Sequence, residues 1–184
     1  RRRYNALRGG SMDRPVVTYG FGPPLGSPSV GRNTNPTHAD VERDVDATLA
    51  DPRGWPGVRF KRDDRTPTIT VHVATNAHIK STFGTAFAGL NLCDRTDGPH
   101  AIRIYINWDN WIKTPAAFRG APEEDLAKLY HPYVVLHEFG HAIGEEHNTA
   151  TPAGQPCPTM YQQTLGTGGD GCAPNPWPTA NKIS

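Results

Sequence analysis

The sequence is short of several features that would place it quickly. Long apolar runs are missing: "YVVL" (133–136) is far below the roughly 20 residues that span a bilayer, so no membrane-crossing helix is expected and the chain reads as soluble. An excess of charge of one sign is missing as well. Its 184 residues carry 19 Lys+Arg against 18 Asp+Glu, a net charge of +1, which argues against nucleic acid or an anionic membrane as a partner. No segment repeats. Methionine is scarce, with 2 residues, and cysteine is nearly so, with 3.

Glycine and proline are plentiful instead, at 19 and 18 residues, and they concentrate at 20–36 and 152–178. That predicts a loop-rich protein with little regular structure at its end. Cys157 and Cys172 both fall in that poor segment. A bridge between them would close a loop of about 15 residues, contribute on the order of 3 kcal/mol, and imply an oxidising compartment. Cys93 is the odd one: it is free, or it takes either of the others as partner. The basic opening "RRRYNALRGGSM" lacks an apolar core region and is no signal peptide as it stands. Residues 1–14 are read as a solvated tail, a propeptide remnant or an expression scar ending near Met12.

The remainder predicts an α+β domain. "RPVVTYGF" (14–21) is a first strand. Thr37 is a candidate N-cap with Asp40 three residues on, and Val41, Val45 and Leu49 recur every four residues, so a helix is expected over 38–50. "VRF" (58–60), "TITVHVA" (68–74) and "AIRIYINW" (101–108) are strand-like, the last two by clean alternation. "GTAFAGL" (84–90) is expected to be a short strand of small residues. "PEEDLAKLY" (122–130) starts a helix, and Pro132 is expected to begin a fresh or kinked one reaching Ile143.

"HEFGHAIGEEH" (137–147) carries the chemistry. His137 and His141 are four apart on a helix, one turn along and about 40° around, so their imidazoles converge on one ion. A continuing helix would carry His147 roughly 120° away from His141 and about 9 Å further on. Gly144 removes that obstacle, because glycine adopts the left-handed conformation that ends a helix and turns the chain back. Three nitrogens leave a fourth position for water on a tetrahedral zinc, the mark of a catalytic rather than a structural site. Glu138 shares nearly the same face and is the expected general base, with attack on a polarised carbonyl as the reaction. A chance occurrence of this five-residue pattern is on the order of 10⁻⁴ or less.

The pattern H-E-x-x-H-x-x-G-x-x-H is similar to the signature of the metzincins, a clan of zinc endopeptidases. The resemblance implies a tight turn with a methionine beneath the zinc, which places Met160 in "CPTMYQQ" there. It also implies a twisted mixed sheet with a backing helix and an active-site helix, followed by a loop-rich C-terminal region. The single domain 15–184 would then divide into subdomains of about 15–144 and 145–184. "GTAFAGL" stands where such proteins carry the edge strand above the cleft, so Ala86 and Ala88 are expected to let a substrate backbone pair alongside. A closer resemblance is to an uncharacterised family of predicted secreted bacterial metzincin-like proteins, through "LADPRGW" (49–55), "YVVLHEFGHAIG" (133–144), "MYQQT" (160–164) and "GCAPNPWP" (171–178). It implies secretion and a zinc site and brings no substrate.

Departures are visible. Asn148 after the third histidine matches no large metzincin family, and Tyr161 directly follows Met160, so Tyr161 is expected to pack or line the pocket rather than contact zinc. Asp94 and Asp97 are candidate calcium ligands, too few for a site by themselves. His38, His72, His78, His100 and His131 lack ligand spacing, and "WDNW" (108–111) is read as core and turn. The resulting expectation is a secreted, monomeric zinc endopeptidase acting on protein or peptide. Its rivals are a catalytically idle zinc-holding module that binds a peptide or partner, and an amidase acting on cell-wall peptide.

Overall fold

A computed structural model describes residues 14–26, 37–98, 101–115, 118, 123–149, 153–165 and 171–178. The basic opening and His100 lie outside the described residues. Five strands make one mixed sheet: β1 (Val16–Phe21), β2 (Arg59–Arg62), β3 (Ile69–Ala74), β4 (Leu92–Asp94) and β5 (Ile102–Asn107). The order across the sheet is β2-β1-β3-β5-β4, with every neighbour parallel except β4, which runs antiparallel to β5 at the edge.

Alternation decides which side chains each face buries. Ile69, Val71 and Val73 of β3 and Ile102, Ile104 and Ile106 of β5 point into the main core. There they meet two helices, α1 (His38–Ala50) and α4 (Glu123–Ala142), through Val41, Val45, Val135 and Phe139. Tyr105 points the other way, into a smaller cluster with Ala74 and Ile79. Helix α1 starts as the sequence predicts: Asp40 N donates to Thr37 Oγ1 at 3.2 Å and Thr37 N donates to Asp40 Oδ2 at 2.7 Å, a reciprocal capping box.

Two expectations are corrected and one element is added. The segment 84–90 is not a strand. Gly84 sits at φ +103°, Thr85–Phe87 forms a single 3-10 turn, and Ala86 and Ala88 are exposed. Side-chain amides take the backbone groups there, since Gly89 N donates to Asn76 Oδ1 and Asn110 Nδ2 donates to Gly89 O. The sheet's edge is formed slightly later, by β4.

A second helix, α2 (Asn76–Phe83), was not expected at all, because it buries fully only Ile79. Its signals were Thr75, which caps it by accepting from His78 N, and Gly84 just beyond its end.

Finally, no fresh helix starts at Pro132: α4 is continuous from Glu123 to Ala142 with Pro132 inside it, so of the fresh or kinked helix expected there the fresh start is overturned. Proline removes one helical hydrogen bond, and packing outweighs that loss. His131 stacks on Trp111 with centroids 3.7 Å apart and bonds its carbonyl through Nε2, while Tyr130, Tyr133 and Val134 are buried. Trp111 and Trp108 belong to a fourth helix, α3 (Trp108–Ile112), and are core, as expected of "WDNW".

Beyond α4 regular structure is sparse, and buried amides hold the chain. Gln163 Nε2 donates to the carbonyls of Asn175 and Pro158, Asn175 N donates to Gln163 Oε1, and Asn175 Nδ2 donates to the carbonyls of Cys157 and Trp177. Cys157 and Cys172 are disulfide-bonded with their Cα atoms 5.0 Å apart, and Cys93 is free. No helix among the described residues is long and apolar enough to cross a membrane. Replacing both bridged cysteines by serine should lower the unfolding free energy by about 3 kcal/mol in urea titrations. A loss below about 0.5 kcal/mol would mean that the amides alone constrain this segment.

Candidate metal centre

The last two turns of α4 present His137, Glu138 and His141, and the chain then reverses at once. Gly144 N donates to the His141 carbonyl at 3.0 Å and Glu145 N to the Gly140 carbonyl at 2.9 Å, a Schellman ending with Gly144 at φ +98°. The reversal carries His147 back. Its Nε2 lies 3.2 Å from His137 Nε2 and 3.0 Å from His141 Nε2, and the three rings form a cluster that could hold a metal ion. Asn148 N donates to the Met160 carbonyl, which tethers the returning strand to the turn below.

Backbone carbonyls orient two of the ligands. His137 Nδ1 donates to Thr159 O at 2.8 Å and His141 Nδ1 to Glu145 O at 3.0 Å. Each ring therefore keeps its lone pair on Nε2, aimed at the common point. A tetrahedral ion holding nitrogens at about 2.0–2.1 Å sets them about 3.3–3.4 Å apart, close to the separations found. The donor set thus fits a first-row divalent ion, and the same contacts also accommodate a hydrogen bond donated by His147 Nε2. Burial pushes His137 down to about 3 and lowers His141 and His147, so all three are neutral and ready to ligate at neutral pH.

Beneath them, the turn from Pro158 to Tyr161 is closed by Tyr161 N donating to Pro158 O, and Met160 is buried in it. Met160 packs against Gly140, whose missing side chain is what lets the turn approach the helix: a β-carbon there would overlap Met160 Sδ and stand 2.7 Å from Trp55 Cζ2. Trp55 is fixed in turn by donating Nε1 to the Leu136 carbonyl at 2.9 Å. Gly140, Trp55 and Thr159 are site residues that motif spacing did not reveal. Trp55 lies in the resembling stretch 49–55, while Thr159 acts through a carbonyl that any residue carries.

Glu138 is buried beside the cluster and opens onto a cavity of about 380 Å³. Among the described residues no hydrogen bond or ion pair engages its carboxyl, and desolvation raises it to about 8. A divalent cation on the histidines would oppose that rise. Cys93 of β4 lines the same cavity as a free thiol, pushed up to about 12 by burial and by the nearby Glu138. Tyr161 is half-buried and its carbonyl accepts from Tyr133 Oη; Gln162, Thr164 and Leu165 are the residues of that segment at the cavity. The two acids weighed for calcium are engaged elsewhere, Asp97 with Arg103 at 2.5 Å and Asp94 with Thr96.

Gly140→Ala should lower the melting temperature, by the equivalent of about 1–3 kcal/mol, and weaken metal binding, read by calorimetry on metal-free and loaded protein. If both stay unchanged, Met160 and Trp55 yield without cost and the close approach is incidental.

A family model described as a protein of unknown function, DUF3152, matches residues 30–176, which include every residue of the centre and both bridged cysteines. No curated protein matches the chain. The chain belongs to the DUF3152 family.

Proposed function

We propose that this protein is a secreted zinc endopeptidase of metzincin type. The observation that carries the reading is the convergence of three neutral imidazoles with a buried, unpaired carboxyl at one wall of an open cavity. A structural zinc site closes its coordination with a fourth protein ligand, and the described residues offer three. The Met160 turn packed on Gly140 and the reversal at Gly144 support the reading.

When bound, zinc supplies a Lewis acid for the substrate carbonyl and lowers the pKa of water. Glu138 takes the proton from the attacking water and returns it to the departing amine. Its burial without a salt-bridge partner keeps that carboxyl basic enough for the first task. The Thr159 and Glu145 carbonyls accept from Nδ1 of His137 and His141, which keeps each Nε2 unprotonated throughout. Substrate lies extended along β4, the edge strand whose Leu92 and Cys93 line the cavity, and pairs with it by strand addition. Strand β4 thereby takes the role expected of Ala86 and Ala88. The disulfide supports action outside a reducing cytoplasm.

The test is digestion of a mixed peptide library by zinc-loaded protein, read by mass spectrometry. Glu138→Gln should keep one equivalent of zinc and lose about 10²–10⁴-fold in activity. Cuts made equally by the variant would remove Glu138 from the chemistry, and no cuts by either would favour the idle binding module. His147→Ala should weaken zinc affinity about a hundredfold or more in competition with a chelating dye. Unchanged affinity would mean that His147 is no ligand.

A further inference from the structure

The cavity wall is mostly apolar or acidic around the centre. Leu90, Leu92 and Leu165 contribute to it, as do Glu145 and Glu146, and one cation, Arg95, stands among its lining residues. Arg95 follows β4 directly and is exposed. Its Nη1 donates to the carbonyl of His141 at 3.2 Å, in the last turn of α4, sharing that oxygen with Gly144 N. That single bond fixes the guanidinium beside a metal ligand. It leaves Nη2 and Nε, one edge of the donor fork, with no other hydrogen bond or ion pair to the described residues. Glu145 and Glu146 share the cavity, and no ion pair between either of them and it is found among the described residues.

A planar fork with two parallel donors matches a carboxylate, and such a bond is about twice as strong as a neutral one. Position narrows the ligand further. Val134 lines the cavity from the turn before His137, whereas Arg95 is anchored at His141, about 10 Å along the helix axis. An extended peptide covers that span in about three residues. A bond lying over the histidines is then within about two residues of the fork.

We propose that Arg95 is the specificity residue of the cleft and selects substrates with a carboxylate within about two residues of the cut bond, on the side lying over His141. This rests on the peptidase reading. The carboxylate comes from an Asp or Glu side chain or from the free end of a short peptide, two sources with one chemistry.

The experiment uses zinc-loaded Glu138→Gln, which holds substrate without cutting it, and pools of blocked hexapeptides. One pair of pools carries Asp/Glu or Asn/Gln at each position, and a second pair ends in a free carboxylate or an amide. Affinities are read by calorimetry, with wild-type cleavage of the same pools in parallel. At least one acidic pool should bind about tenfold tighter than its amide counterpart, and which pair shows the effect identifies the source. Adding Arg95→Gln, which keeps an amide donor for the His141 carbonyl and removes the charge, should bring the ratio to about one, with zinc content and circular dichroism unchanged.

Equal binding of acid and amide pools, no binding of any pool at millimolar concentration, or a preference that survives Arg95→Gln through direct ligation to zinc would each overturn the assignment. Preference for an acidic pool without cleavage by the wild type would keep Arg95 in its role and reject the peptidase.

Discussion

The hydrogen bond from His137 Nδ1 to the Thr159 carbonyl joins the two halves of this protein at the one place where their relative position matters to the site. On one side stands α4, packed on the sheet through Val135 and Phe139. On the other is a segment with almost no regular structure. The bond fixes the ring's orientation and tautomer, and it does so only if Thr159 is held to within a few tenths of an ångström. Much of what is unusual in the C-terminal region answers that requirement. Thr159 Oγ1 is tied to Pro176 O, and the Gln163–Asn175 amides and the disulfide close the chain around it. Arg53 lies over Trp177 at 3.8 Å, linking the end of the chain to the loop after α1.

Gly140 extends the same logic into the helix. Its position between the two ligating histidines is where a methyl group would push the Met160 turn away and lengthen the Thr159 bond. Trp55 fills the space on the other flank and is bonded to the helix itself. The four stretches whose resemblance stood out in the sequence, 49–55, 133–144, 160–164 and 171–178, therefore make up most of a single physical assembly under the histidines. Their shared presence is explained by a common neighbour rather than by separate tasks.

What could be read beforehand was what local periodicity encodes. The three-histidine cluster was legible because the four-residue spacing and Gly144 are both local devices, and α1, β3 and β5 followed from capping and alternation. The errors fall where a distant group decides. Pro132 stays helical because Trp111 and Phe118 pack against its neighbours, and 84–90 is a turn because Asn76 and Asn110 take its backbone groups. Arg95 has no motif around it; its bond to the His141 carbonyl spans 46 positions of sequence. Thr159 contributes a carbonyl, which leaves no trace in residue type.

The centre also holds two unfavourable arrangements side by side. His137 and His141 spend their protons on carbonyls, so two Nε2 lone pairs converge on His147 Nε2, which has at most one proton to share between them, and Glu138 is desolvated without a partner among the described residues. Either arrangement opposes folding by itself. A single divalent ion relieves both, because it takes the lone pairs as ligands and supplies the missing positive charge next to the carboxylate. The two defects are thus complementary sides of the same demand. The metal-binding free energy then adds to the stability of the fold, and the rigid support under Thr159 keeps the demand in place whether or not the ion is there.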